Sequence, residues 1–204
     1  MKRPGRRGWN DYADMLRMVM DHPGTTSEVA ARYGMAIRSM REVLYVMRDA
    51  GLIFECAWRS SVTGERMQAV WSTQGPPAPR PAGMRPAVAP VRMPQLARFC
   101  ALVSALMSGA WSPADVADEV AANVNRVRPL MRHLCTRRLA YVEQWRPTHG
   151  GWPVPVYRWG PNRSSAKRPK PRPDAEAWRE KHQKRQQRLF WVHMIFLTAG
   201  VKPA

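Results

Sequence analysis

The side chains with the clearest chemical capacity in this 204-residue chain are Asn125, Arg126, Arg128 and Arg132, a group with no acid among them. A guanidinium can bind the O6/N7 edge of guanine as a bidentate fork, and a carboxamide can do the same to adenine N6/N7. At helical spacing the four share one polar face. A similar group, Arg38, Ser39, Arg41 and Tyr45, is diluted by Glu42. For either group the plain alternative is a solvated polar helix face. Groups suited to catalysis are scarce by comparison. His133-x-Cys135 is the one close His/Cys pair, positions i and i+2 do not share a helix face, and no third ligand accompanies them. Cys135 reads instead as a small core hydrophobe. His22, His149, His182 and His193 lie in a loop, a turn and the tail without a partner set, and no phosphate-cradling glycine loop occurs. The reading is no enzyme, no metal and no cofactor.

Charge gives the second clue. Thirty-three Lys and Arg against fifteen Asp and Glu leave +18, while 45% apolar residues suffice for packed cores. Three cysteines, Cys56, Cys100 and Cys135, form no even framework, which argues against a disulfide scaffold or a zinc ribbon. No apolar run reaches the ~18–20 residues of a membrane span, and the basic start continues into Asn10, Asp11 and Asp14 rather than an apolar segment, unlike a secretion signal. A cytoplasmic, polyanion-binding protein is expected, in the nucleoid if the polyanion is DNA.

The excess is uneven. Residues 1–10 carry +4 through Lys2, Arg3, Arg6 and Arg7, and 11–74 carry −1. Residues 75–94 carry +3, 95–162 carry +4, and 163–204 carry +8. The first ten residues read as a flexible basic arm attracted to phosphates. The tail opens with RSSAKRPKPRP and becomes helix-forming from Asp174, gathering Lys181, Lys184, Arg185 and Arg188 at i, i+3, i+4 and i+7. Such a face binds a phosphate backbone by counterion release. Leu189–Leu197 is apolar all round but too short to cross a bilayer. It is expected to pack on a unit or on its copy in a second chain, and a membrane-surface element is the lesser alternative.

Residues 75–94 hold seven prolines and no acid, the composition of a semi-rigid linker. At about 3.1 Å per residue it spans up to roughly 60 Å. The flanking segments repeat each other at a shift of 87 positions. Thr25-x-x-Glu28 falls on Ser112-x-x-Asp115, two capping boxes. Ile37 falls on Val124, Met40 on Val127, Arg41 on Arg128, Leu52 on Leu139, and Trp58-Arg59 on Trp145-Arg146. One inserted residue later, Trp71 falls on Trp159. Apolar periods predict three helices per segment, followed by a strand pair around 61–65 and around 147–151. Phe54, Cys56 and Trp58 are expected on one strand face, with Glu55 and Arg59 on the other. Trp58, Trp145, Trp71 and Trp159 read as core plugs. Pro129 is expected to kink its helix.

Three helices and a hairpin, twice, carried by TTSEVAARYGMAIRSMREVLYVMRDAGLI and SPADVADEVAANVNRVRPLMRHLCTRRLAYVEQW, resemble the winged helix-turn-helix family over about two thirds of the chain. The second segment with its basic tail is also loosely similar to small helix-turn-helix proteins of bacteriophages and prophages. The resemblance implies an α+β, mainly helical protein. Two tandem winged helix-turn-helix units (11–74 and 95–162) would be joined by the Pro-rich linker 75–94 and flanked by the arm 1–10 and a basic helical C-terminal tail, 163–204. It implies that the third helix of each unit enters the major groove, so that Asn125, Arg126, Arg128 and Arg132, and in the first unit Arg38, Ser39, Arg41 and Tyr45, read bases. Arg59 and Arg146, at the edge of each hairpin, would hold phosphates. The expected partner is double-stranded DNA and the expected role transcriptional regulation. A homodimer through the first unit or Leu189–Leu197 is a second expected contact. The competing readings are an RNA- or single-strand-binding protein and a protein-interaction adaptor with a basic tail.

Overall fold

The computed structural model describes residues 8–60, 67–84, 93–148, 152–169 and 183. Six α-helices and two small antiparallel sheets account for their regular structure. The first repeat runs α1 (Trp9–Asp21), β1 (Gly24–Thr25), α2 (Thr26–Tyr33), α3 (Ile37–Asp49), β2 (Phe54–Ser60) and β3 (Met67–Ser72). The second runs α4 (Pro94–Ser108), α5 (Pro113–Glu119), α6 (Val124–Thr136), β4 (Ala140–Arg146) and β5 (Val154–Trp159). Both ends of α6 fall 87 positions after those of α3, so the repeat seen in sequence holds in the backbone.

Local chemistry explains why the helices start and stop there. Thr25 Oγ1 accepts from the Glu28 amide at 3.4 Å while the Glu28 carboxylate accepts from the Thr25 amide at 2.8 Å. Ser112 and Asp115 form the same reciprocal pair at 3.3 and 3.1 Å. The turn into the third helix needs one left-handed residue, Gly34 at φ 68° in the first repeat and Ala121 at φ 46° in the second. The turn after the third helix repeats the pattern with Gly51 at 73° and Arg138 at 53°. The second repeat thus holds two side chains in backbone conformations that glycine fills without strain in the first. Helix α6 continues as an α-helix past Pro129.

The hairpins depart from the expected alternation. In β2 the register slips between Glu55 and Ala57, a bulge that leaves Cys56 without an opposing residue on β3. One extra residue reverses the parity of a strand. Glu55 and Trp58, expected on opposite faces, therefore both meet Arg80. Trp58 and Trp145 are half-buried, not core plugs. Trp71 fills the core as expected, at 1% exposure, and Gly24 pairs with it. In the second repeat the residue bridged to Trp111, the counterpart of Gly24, is Tyr157 rather than Trp159. A slip of two keeps side chains on their faces, so Tyr157 takes the buried place and Trp159 is half-buried.

The repeats are not separate beads on the linker. The described residues up to Gln144, with Pro155–Ala166, make one compact body. Helix α1 packs on α4 and on α6, and α4 packs on α3. Each first helix therefore touches the third helix of the other repeat, the reciprocity of a two-fold interface. Tyr12 and Phe99 are equivalent positions, and their rings meet at 5.8 Å. A residue in contact with its own equivalent lies at the pseudo-dyad. Nearby, the Trp9 indole donates to the Gln95 carbonyl at 3.1 Å. Farther along the same helices, Met20 and its equivalent Met107 line one small cavity of about 80 Å³. Off the axis, Asp14 accepts from His133 at 2.7 Å and from Arg137 at 2.7 and 3.1 Å. Arg17 reaches the Asn162 side chain at 3.1 Å.

The linker's first half also folds back. The Ala78 amide donates to the Glu55 carbonyl at 2.7 Å, and Arg80 places one nitrogen at 3.1 and 2.8 Å from the two Glu55 carboxylate oxygens. The second hairpin is followed by the same device. The Ala166 amide donates to the Val142 carbonyl at 2.7 Å. Among the described residues, Trp145, Trp152 and Arg168 belong to a second compact unit, within which Arg168 lies 5.6 Å from the Trp145 ring and 4.7 Å from the Trp152 ring.

Candidate nucleic-acid interface

Helix α6 starts at Asn123, whose carboxamide oxygen accepts from the Asn125 amide at 2.8 Å. Val127, Leu130, Met131 and Leu134 turn inward and are buried to 1% exposure or less. That periodicity leaves Asn125, Arg126, Arg128 and Arg132 on the opposite side, and all four are exposed. The helix contains no Asp or Glu. Among the described residues none of the three arginines makes an ion pair, so their forks are available. Pro129 is exposed beside them, and Asn125, Arg126 and Pro129 border an open trough whose other wall is the start of α1. Two acids of α1, Asp11 and Asp14, lie on that wall, and Asp14 is bound to His133 and Arg137.

Helix α3 offers a different surface. Arg38 is almost fully exposed but pairs with Glu42 at 3.6 Å. Ser39 is half-buried, and Arg41 is exposed. Tyr45 packs edge-on against Trp71, with ring centroids 5.8 Å apart, and the Arg48 guanidinium sits 5.0 Å above its ring. Its ring is occupied in packing. Arg41 and Tyr45 line a groove of about 380 Å³ with Ile37, Trp58, Met67 and Met84. Ile37, Met67 and Met84 are 39–48% exposed, so this groove mixes apolar side chains with Arg41, Glu55 and Arg80, whereas the outer face of α6 is cationic.

Of the expected phosphate contacts, Arg59 is exposed and lies 3.6 Å from the Glu28 carboxylate. The Thr25 backbone amide, and secondarily Arg59, hold that carboxyl below its ordinary range. Arg146 is exposed near the end of β4. Lys2, Arg3, Arg6, Arg7, Lys181, Lys184, Arg185, Arg188 and Leu189–Leu197 lie outside the described residues.

His133 and Cys135 do not act together. The imidazole faces Asp14, whereas burial pushes the Cys135 thiol up to about 11, against a smaller opposing effect of its hydrogen bond with Ser165. Cys100 is pushed up to about 12 by burial. Both thiols stay protonated near neutral pH and are poor nucleophiles there. Among the described residues no three His, Cys, Asp or Glu side chains cluster in a way that could hold a metal, and no helix is long and apolar enough to cross a membrane.

Two residues escaped the sequence reading. Arg80 and Arg168 each stack on the hairpin tryptophan of their own repeat, Trp58 at 5.9 Å and Trp145 at 5.6 Å. The signal is Ala78-Pro79-Arg80-Pro81 and Ala166-Lys167-Arg168-Pro169, a short Ala-x-Arg-Pro motif within segments of linker-like and tail-like composition. Comparison of the chain with protein-family models, with curated proteins and with solved structures finds no match.

Proposed function

We propose that the chain is a double-stranded DNA-binding protein built from two winged helix-turn-helix repeats, and that it regulates transcription by reading the major groove with α6. The observation that carries this reading is the face of α6: three arginines and an asparagine, exposed, with no acid on the helix and no ion pair among the described residues. Arginine forks match guanine and asparagine matches adenine, at about 1–3 kcal/mol of discrimination per good pair. Arg59, Arg146 and the basic arm and tail hold phosphates and supply affinity without sequence preference. Helix α3, with Arg38 paired and Tyr45 packed, is the weaker reader.

Competition binding tests this directly. A labelled duplex should be displaced by unlabelled duplex at lower concentration than by RNA or single strands of the same sequence; equal or inverted preference removes the reading. Arg126→Ala with Arg128→Ala should flatten the preference among duplexes. Deleting 163–204 should weaken all duplexes alike and lower the salt slope. Identical behaviour of the two variants would refute the division between reading and holding.

A further inference from the structure

Resting on the reading of α6 and α3 as groove-entering helices, we infer that one chain binds an imperfect inverted repeat of duplex DNA, acting as a dimer fused into a single polypeptide. The orientation follows from the packing. A head-to-tail arrangement would bring α1 onto α6 without bringing α4 onto α3, whereas both contacts occur. Tyr12 meeting Phe99 agrees with the two-fold relation that the reciprocal helix contacts require, because a position on a dyad meets its own equivalent. Two readers related by a two-fold axis see the two DNA strands in opposite senses, so their half-sites are inverted. The spacing is set by the Tyr12–Phe99 seam and by Asp14 holding His133 and Arg137, not by the reach of the proline-rich segment.

The imperfection follows from the side chains. Equivalent positions on α3 and α6 are Arg38 and Asn125, Ser39 and Arg126, Arg41 and Arg128, Tyr45 and Arg132. Only Arg41 and Arg128 match, and both are exposed. The half-sites therefore agree where this pair reads, with guanine the favoured base, and differ at the flanking positions. The half facing α6 is the stronger.

Selection of bound fragments from random duplex DNA with the full chain, combined with native mass measurement of the complex, tests the inference. The expected result is one chain per duplex on two inverted half-sites at one spacing. That spacing should stay unchanged when ten Gly/Ser residues are inserted after Pro90. Arg128→Ala should relax one half only, and Arg41→Ala the other, each weakening the selected duplex about ten-fold or more. Direct repeats, a single half-site, two chains per duplex, or a spacing that follows the insertion would overturn the inference while leaving DNA binding intact. Duplex bound no better than matched RNA would instead overturn the reading beneath it.

Discussion

Ala121 and Arg138 hold the backbone that glycine holds at Gly34 and Gly51, and the cost of a left-handed side chain is about 1–2 kcal/mol. Ala121→Gly and Arg138→Gly should each raise stability by about 0.5–1 kcal/mol after the added chain entropy of the unfolded state is subtracted. Urea denaturation of the two variants checks this; a loss would mean that the side chains contribute more than the strain. The buried thiols make a second residue-scale prediction. Cys100 and Cys135 ionise near 9 when unfolded and at about 12 and about 11 when folded, so the folded state binds their protons more tightly. Their contribution to stability is fully present below pH 9 and is lost as pH rises from 9 towards 12. The alkaline limb of a stability profile should flatten in a Cys100→Ala, Cys135→Ala chain.

At the scale of elements, the hairpin and the segment after it behave as one unit in both repeats. Arg80 joins the Glu55 carboxylate to the Trp58 ring, and the bulge at Cys56 is what brings those two partners to one face. A cation over an indole contributes about 0.5–1 kcal/mol at a partly exposed site. Arg80→Ala should cost about 1–2 kcal/mol because it also leaves Glu55 short of a partner. Arg168→Ala should cost less but change tryptophan emission, since two rings lose the same cation. An unchanged emission spectrum would show that the Arg168 stack does not persist in solution. The bulge is also invisible in the local pattern of residues. Period-2 patterning presumes that every residue is paired, and nothing in Phe54–Trp58 announces the extra one.

For the body that holds both repeats, the shared seam should make folding one event. Phe99→Ala removes a fully buried ring at the pseudo-dyad and should cost about 3–5 kcal/mol. Calorimetry should show a single transition before and after the change, because the seam belongs to both repeats. Two resolved transitions would mean that the repeats unfold as separate units. The seam also places the two candidate readers in a fixed relation, which a freely spanning linker would not do.

Read alone, the chain settled what depends on near neighbours. The capping boxes at Thr25 and Ser112, the inward stripes of α3 and α6, the 87-residue repeat and the basic face of Asn125, Arg126, Arg128 and Arg132 are all written in local spacing. Tertiary structure alone decided which copies of those elements meet. The pairing of Tyr12 with Phe99, the return of Arg80 onto Trp58 and the groove beside α3 join residues from separate elements. Periodicity reports which face of an element is apolar, but not which other face it covers, and that choice is made by shape and burial across the whole body.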